Sequence, residues 1–183
     1  MLEIRWHGRG GQGVVTAAKL LAASVLREGK YFQAFPEYGP ERRGAPVQAF
    51  TRIDDEPIRV FAHITSPDVV VVLDETLLGK VPVADGLREG GTLVANFRGT
   101  PAELRQKLGL KNGHVYTVDA SHIATETLGR PITNTPMIGA LLRAVPAVEL
   151  GHVVDELAEK FKGSVAESNA NAVRRAFEEV QGE

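Results

Sequence analysis

Apolar and polar residues alternate from the first positions, and Leu2-Glu3-Ile4-Arg5-Trp6 reads as a short strand. A glycine-rich turn follows. From Gly13 to Leu26 the chain is rich in alanine and leucine and apolar around much of its circumference, as a buried crossover helix would be. Glu28-Gly29-Lys30 ends it, with glycine placed for a left-handed cap. Tyr31–Phe35 reads as a second strand. Val47–Ile53 alternates, Asp54–Pro57 turns, and Ile58–Phe61 returns, which predicts an antiparallel hairpin. Val69–Leu73 is a continuous apolar run of the kind found in a fully buried strand.

Thr92–Phe97 and Val115–Val118 supply two more strands, with short helices at Pro101–Leu108 and Ser121–Leu128. Further helices are predicted over Met137–Val145, Val148–Phe161 and Val165–Val180. Asn134 or Thr135 before Pro136 has the form of an N-cap followed by proline at the first helical position. Strands alternating with helices predict an α/β fold: a three-layer, Rossmann-like arrangement with a mainly parallel sheet and the antiparallel hairpin at its edge. No linker, internal repeat or low-complexity tract interrupts the pattern, so residues 1–183 are expected to form a single domain.

Composition narrows the function classes. The net charge of −2 leaves no electrostatic footprint for nucleic acid. The strongest apolar run, Val69–Leu73, is far too short to span a bilayer, and the amino terminus lacks a signal-peptide core, so a cytoplasmic location with no membrane partner is expected. There is no cysteine, hence no thiolate for an iron–sulfur cluster and no thiol nucleophile. The five histidines show no metal-ligand spacing, and only His7, beside the glycine turn, stands apart.

Two stretches carry candidate chemistry. Gly8-Arg9-Gly10-Gly11-Gln12-Gly13 satisfies G-x-G-x-x-G between a strand and a helix. Glycines permit close backbone approach, and the helix N-terminus offers free N–H groups to an anion. A dinucleotide site also wants an acidic residue at the end of the second strand, about 20 residues beyond the last glycine. Glu37 is nearest, but it follows Pro36 and opens a rigid loop. The second stretch is that loop, Pro36–Gly44, in which Glu37, Glu41, Arg42 and Arg43 surround Tyr38. Its paired arginines suit carboxylate or phosphate, or a partner chain, while a self-satisfied salt-bridged loop is the plainer alternative.

Gly8–Gly13, Pro36–Gly44 and Asn134-Thr135-Pro136-Met137-Ile138-Gly139-Ala140, in that order and spacing, resemble the gamma subunits of the 2-oxoacid:ferredoxin oxidoreductase family, pyruvate:ferredoxin oxidoreductase foremost. The resemblance runs over essentially the whole chain. It implies a subunit, inactive alone, of an enzyme that oxidatively decarboxylates a 2-oxoacid with coenzyme A to acyl-CoA, carbon dioxide and reduced ferredoxin. Thiamine diphosphate, magnesium and 4Fe–4S clusters would then lie on the partner alpha, beta and ferredoxin-like delta subunits. Coenzyme A would be a co-substrate and ferredoxin the electron acceptor.

On this reading the Gly8–Gly13 backbone approaches a neighbouring chain or a coenzyme A phosphate. Arg9, Arg42 and Arg43 supply charged contacts, Glu37 and Glu41 hold those arginines, and Asn134 and Thr135 cap their helix, one of them presenting an amide or hydroxyl to the same cleft. No residue here is expected to act as nucleophile or general base. The rival readings are a free-standing NAD(P)- or flavin-dependent enzyme and a nucleotide-binding module of Rossmann type.

Overall fold

The first strand, β1 (Leu2–Arg9), runs past Trp6 into the glycine turn, and α1 (Val14–Val25) follows it. A short 3₁₀ turn over Leu26–Glu28 closes on Gly29, which takes the expected left-handed conformation. The computed structural model describes residues 1–37 and 44–183. The remaining strands are β2 (Tyr31–Pro36), β3 (Pro46–Asp54), β4 (Val69–Val72), β5 (Thr92–Asn96), β6 (His114–Val118) and β7 (Gln181–Gly182). The remaining helices are α2 (Pro101–Leu108), α3 (Ala120–Leu128), α4 (Asn134–Ala144), α5 (Leu150–Lys160) and α6 (Ser164–Glu179). None of the helices among the described residues is long and apolar enough to cross a membrane.

The strands form one sheet in the order β2-β3-β1-β4-β5-β6-β7. β1, β4, β5 and β6 are parallel neighbours, with β3 antiparallel to both β1 and β2 and β7 antiparallel to β6. The α/β class and the mainly parallel direction are as expected. The hairpin is not. Val47–Ile53 does form a strand, but its partners are β1 and β2, and residues 58–61 are irregular. Pro57 brings no N–H to a ladder, and Arg52 on β3 takes the carbonyls of Val60 and Ala62 through its guanidinium at 3.3 and 2.7 Å. The edge hairpin is therefore β2–β3, and β3 stands between β1 and β2. β7, only two residues long, has no period to read.

Helices and sheet build an apolar layer from Ile4, Trp6, Val69, Val71 and Val94 against α1, α4, α5 and α6. α4 and α6 cross so closely that a side chain on Gly139 would meet the Val173 carbonyl oxygen within 2.0 Å. On the other face Val70, Val72, Leu93 and Val115 pack under Leu104 of α2 and under Leu77, Leu78 and Val83. A capping box starts α2, in which Thr100 accepts from the Glu103 N–H and the Glu103 carboxylate accepts from the Thr100 N–H. Gly109 closes it in the left-handed conformation.

Candidate functional site

β1 and β4 are adjacent and parallel, but the chain leaves them on opposite faces of the sheet: through α1 after β1, and through the Leu77–Val83 layer after β4. Connections that diverge in this way open a crevice beyond the carboxyl ends of the two strands. The glycine turn sits in it. Gln12 folds back so that its Oε1 accepts from the Arg9 N–H at 2.7 Å, and its own N–H donates to the Arg9 carbonyl at 3.1 Å. The Gly10 N–H donates to the Ala45 carbonyl at 2.9 Å, and the Gly44 N–H to the Gly10 carbonyl at 3.0 Å. The far end of the Pro36–Gly44 segment is thus fastened to the glycine turn.

Gly13 ends the turn at φ 77° and is the N-cap of α1. No side chain caps this helix and no acidic residue stands in its first turn. Its leading N–H groups are left for solvent or a ligand, at the positive end of the helix dipole. They face an open pocket of about 320 Å³ lined by Arg9, Gly10, Gly11, Gly13, Thr16 and Val47. Gly8 also has to be glycine, because an added Cβ would lie 2.5 Å from Val14 Cγ2.

Asp74, directly after the buried run of β4, organises the rim of this pocket. Its Oδ1 accepts from the Thr76 N–H at 2.8 Å and the Thr76 hydroxyl at 2.5 Å, and its Oδ2 accepts from Gln12 Nε2 at 2.5 Å. Burial pushes its carboxyl up, but hydrogen bonds from Thr76 and Gln12 and the Arg9 charge outweigh that and hold it below the ordinary carboxylate value. Arg9 donates from Nε and Nη2 to Thr76 Oγ1 at 3.0 and 2.8 Å, and from Nη1 to the Gly44 carbonyl at 3.0 Å, with Nε 3.5 Å from Asp74 Oδ2. Three of its five N–H groups are thereby committed and the side chain is fixed at the pocket's edge.

The third motif meets the turn from the side. The Asn134 amide nitrogen stands 2.6 Å from where a Cβ on Gly13 would be. The expected helix cap is displaced by one residue, since Thr133 occupies the N-cap position and Asn134 and Thr135 are already helical. Pro136 fits there because its missing N–H falls in the first turn, where no intrahelical acceptor exists. The Thr133 hydroxyl donates instead to the Leu73 carbonyl at 3.1 Å, and Asn134 Oδ1 accepts from the Thr135 N–H at 2.9 Å. Thr135 does not face the cleft: it is buried and donates to Asn169 Oδ1 at 2.9 Å. Asn96, which the sequence reading missed, ties the ends of β4 and β5 together by donating to the Leu73 carbonyl at 3.0 Å and to Ser121 Oγ at 2.9 Å.

Glu37 lies at the end of β2 with its N–H on the Gln48 carbonyl, separated from the glycine turn by β3. Tyr38, Glu41, Arg42 and Arg43 lie outside the described residues. His7 is buried beneath the turn with Nε2 accepting from Arg5 Nε at 3.0 Å. Burial, and then the Arg5 charge, pull its imidazole down to about 3, so it is neutral near pH 7. Asp74 and Asn96 could have been found by one signal, a polar residue at the carboxyl end of an apolar parallel strand.

A family model described as pyruvate ferredoxin/flavodoxin oxidoreductase matches residues 3–179. The chain is 53% identical over 177 residues to the pyruvate/ketoisovalerate oxidoreductases common subunit gamma of Thermococcus kodakarensis, covering 97% of this chain and 96% of that one. It is 48% identical over 181 residues to pyruvate synthase subunit PorC of Methanothermobacter marburgensis, covering 99% and 98% of the two. Among solved structures, pyruvate oxidoreductase subunit PORC of Thermotoga maritima superposes with a TM-score of 0.90 at 45% identity, covering 100% of this chain and 98% of its own.

Proposed function

The chain belongs to the pyruvate ferredoxin/flavodoxin oxidoreductase family, and on that premise we propose that it is the gamma subunit of a 2-oxoacid:ferredoxin oxidoreductase, with pyruvate the foremost substrate. The complex decarboxylates the 2-oxoacid oxidatively with coenzyme A, giving acyl-CoA, carbon dioxide and reduced ferredoxin. This chain, acting in the cytoplasm as one domain, contributes surface and positioning. Thiamine diphosphate and magnesium belong to the partner alpha and beta subunits, where the thiamine would supply the electron sink that decarboxylation needs. The 4Fe–4S clusters belong to the cysteine-bearing partners, the ferredoxin-like delta subunit among them, since this sequence has no cysteine to hold one.

One observation supports a direct part for this subunit in substrate handling: the uncapped N-terminus of α1 opens on a glycine-lined pocket with a fixed arginine at its edge. Backbone N–H groups, a helix dipole and a guanidinium together suit a phosphate, and coenzyme A is the phosphate-bearing reactant. Gly8, Gly10, Gly11 and Gly13 give the close approach, and Gln12 and Asn134 shape the turn. From the family resemblance, Glu37, Tyr38, Glu41, Arg42 and Arg43 are assigned contacts with coenzyme A or a partner chain.

The NAD(P)-binding alternative is not favoured. β3 lies between β1 and β2, so the end of β2, where a ribose-binding acid would stand, is about 10 Å from β1 instead of about 5 Å. Replacing Arg9 by alanine in the reconstituted complex tests the reading. The KM for coenzyme A should rise about tenfold while the KM for pyruvate holds, the loss expected for one charge-assisted contact. An unchanged KM for coenzyme A would remove the phosphate site from this subunit.

A further inference from the structure

Asp74 is not among the residues lining the glycine-turn pocket, yet the side-chain contacts of Gln12 and Arg9 in that turn lead back to it. Its Oδ2 accepts from Gln12 Nε2, the same Gln12 amide turns Oε1 to the Arg9 N–H, and Arg9 stands beside the carboxylate. A carboxylate can only accept, so Gln12 can present only its NH₂ side to Asp74. That leaves its carbonyl oxygen, and nothing else, to meet the Arg9 N–H. The amide is thereby held in one of its two orientations, and the turn in one shape.

We propose that Asp74 is a positioning residue for coenzyme A: through the forced orientation of Gln12 it sets the backbone of the glycine turn, and with Thr76 it aims Arg9 at the pocket. The proposal rests on the coenzyme A reading of that pocket and adds to it the residue that makes the pocket fit.

The chemistry of the relay dictates its test. In Asp74→Asn one side of the new amide must be a donor. If its oxygen serves the Thr76 N–H and hydroxyl, its NH₂ faces Gln12, which has to flip and turn its own NH₂ against the Arg9 N–H. If it is reversed, the Thr76 donors lose their acceptor. In Gln12→Glu two carboxylates come face to face. In the double variant, the carboxylate introduced at position 12 accepts from both the Arg9 N–H and the amide introduced at position 74, and the negative charge near Arg9 is kept. The relay is restored with its charge transposed.

The three variants are assembled into the complete complex and assayed with coenzyme A and pyruvate varied separately. Each single variant should raise the KM for coenzyme A about tenfold, leaving the KM for pyruvate within about twofold of the parent. The double variant should return the KM for coenzyme A to within about threefold of the parent. If Arg9→Ala raises that KM but Asp74→Asn does not, the proposal is overturned while the pocket reading stands. If the double variant is as impaired as the two singles combined, or if the singles lower kcat and thermal stability without a selective change in the KM for coenzyme A, Asp74 is only structural. If Arg9→Ala, Asp74→Asn and Gln12→Glu all leave the KM for coenzyme A unchanged, the pocket reading falls and this proposal with it.

Discussion

On the face of the sheet away from α1, Val70, Val72, Leu93 and Val115 lie under Leu104 of α2 and the apolar Leu77–Val83 segment, whereas Glu3, Arg5 and Arg52 of β1 and β3 lie under irregular chain. The two regions are continuous, since Arg5 sits beside Val70 and His7 beside Val72 in the parallel register. They differ in what covers them. α2 satisfies its own carbonyls and needs only apolar surface beneath it. The segments around residues 60–62 and 83–85 have no ladder, so the carbonyls they turn toward the sheet take their donors from it. Arg52 reaches the carbonyls of Val60 and Ala62, and Arg5 those of Val83 and Asp85.

Arg52 is also paired with a carboxylate, whereas Arg5 meets the neutral His7. Glu3 accepts from Arg52 at 2.8 Å and from Arg88 at 2.8 Å, while Arg88 also reaches Asp68 at 2.5 Å. Irregular chain over a sheet therefore brings arginines, and Arg52 brings Glu3 with it. This polar patch also floors the glycine turn, because Arg5 and His7 lie on the strand that ends in it.

The contrast predicts an order of mutational costs. Arg52→Met should cost most, about 3–5 kcal/mol in urea denaturation, because it leaves Glu3 with only Arg88 as a counter-charge and removes the donor to two carbonyls. A loss under about 1 kcal/mol would mean that the network is replaceable by packing. Leu93→Ala, in the apolar region, should cost about 2–5 kcal/mol through the cavity it leaves, and should be far less sensitive to salt.

His7 should then make the polar region selectively acid-sensitive. Its folded value of about 3 lies below the ordinary 6.5, so below pH 6.5 the unfolded chain takes up a proton that the folded chain refuses. Its contribution is fully present above pH 6.5 and is lost as pH falls toward 3, by about 1.4 kcal/mol per unit. The difference in stability between the parent and His7→Gln, followed from pH 7 to 5, should change by about 2 kcal/mol. A pH-independent difference would break the comparison at that residue. The smallest effect is expected from Thr100→Ala, which removes the cap from the covering helix at about 1 kcal/mol and should leave His7 titration untouched.

Much of the architecture was legible because its signals are local. α2 has Pro101 at its start and Gly109 at its end, and its observed bounds, Pro101–Leu108, are those predicted. Gly29 and the apolar run of β4 were equally plain. The errors arise where pairing is remote. Ile58, Val60 and Phe61 are suited to a strand, yet the partner they would need is occupied by β2. Thr135 reads as a cap from its neighbours, but its hydroxyl is claimed by Asn169 on α6.

By itself the sequence determined the α/β class, most helices and strands, the close-approach turn at Gly8–Gly13, and a family resemblance carried by three motifs in order. Short-range rules of period, capping and glycine conformation suffice for the first of these, and residue identity at fixed spacing for the last. Only the tertiary structure placed β3 between β1 and β2, buried Glu3, Arg5 and Arg52, and brought Asp74 to Gln12 across 62 residues of chain. Those outcomes depend on which surfaces compete for the same neighbour, and no window of sequence contains that competition.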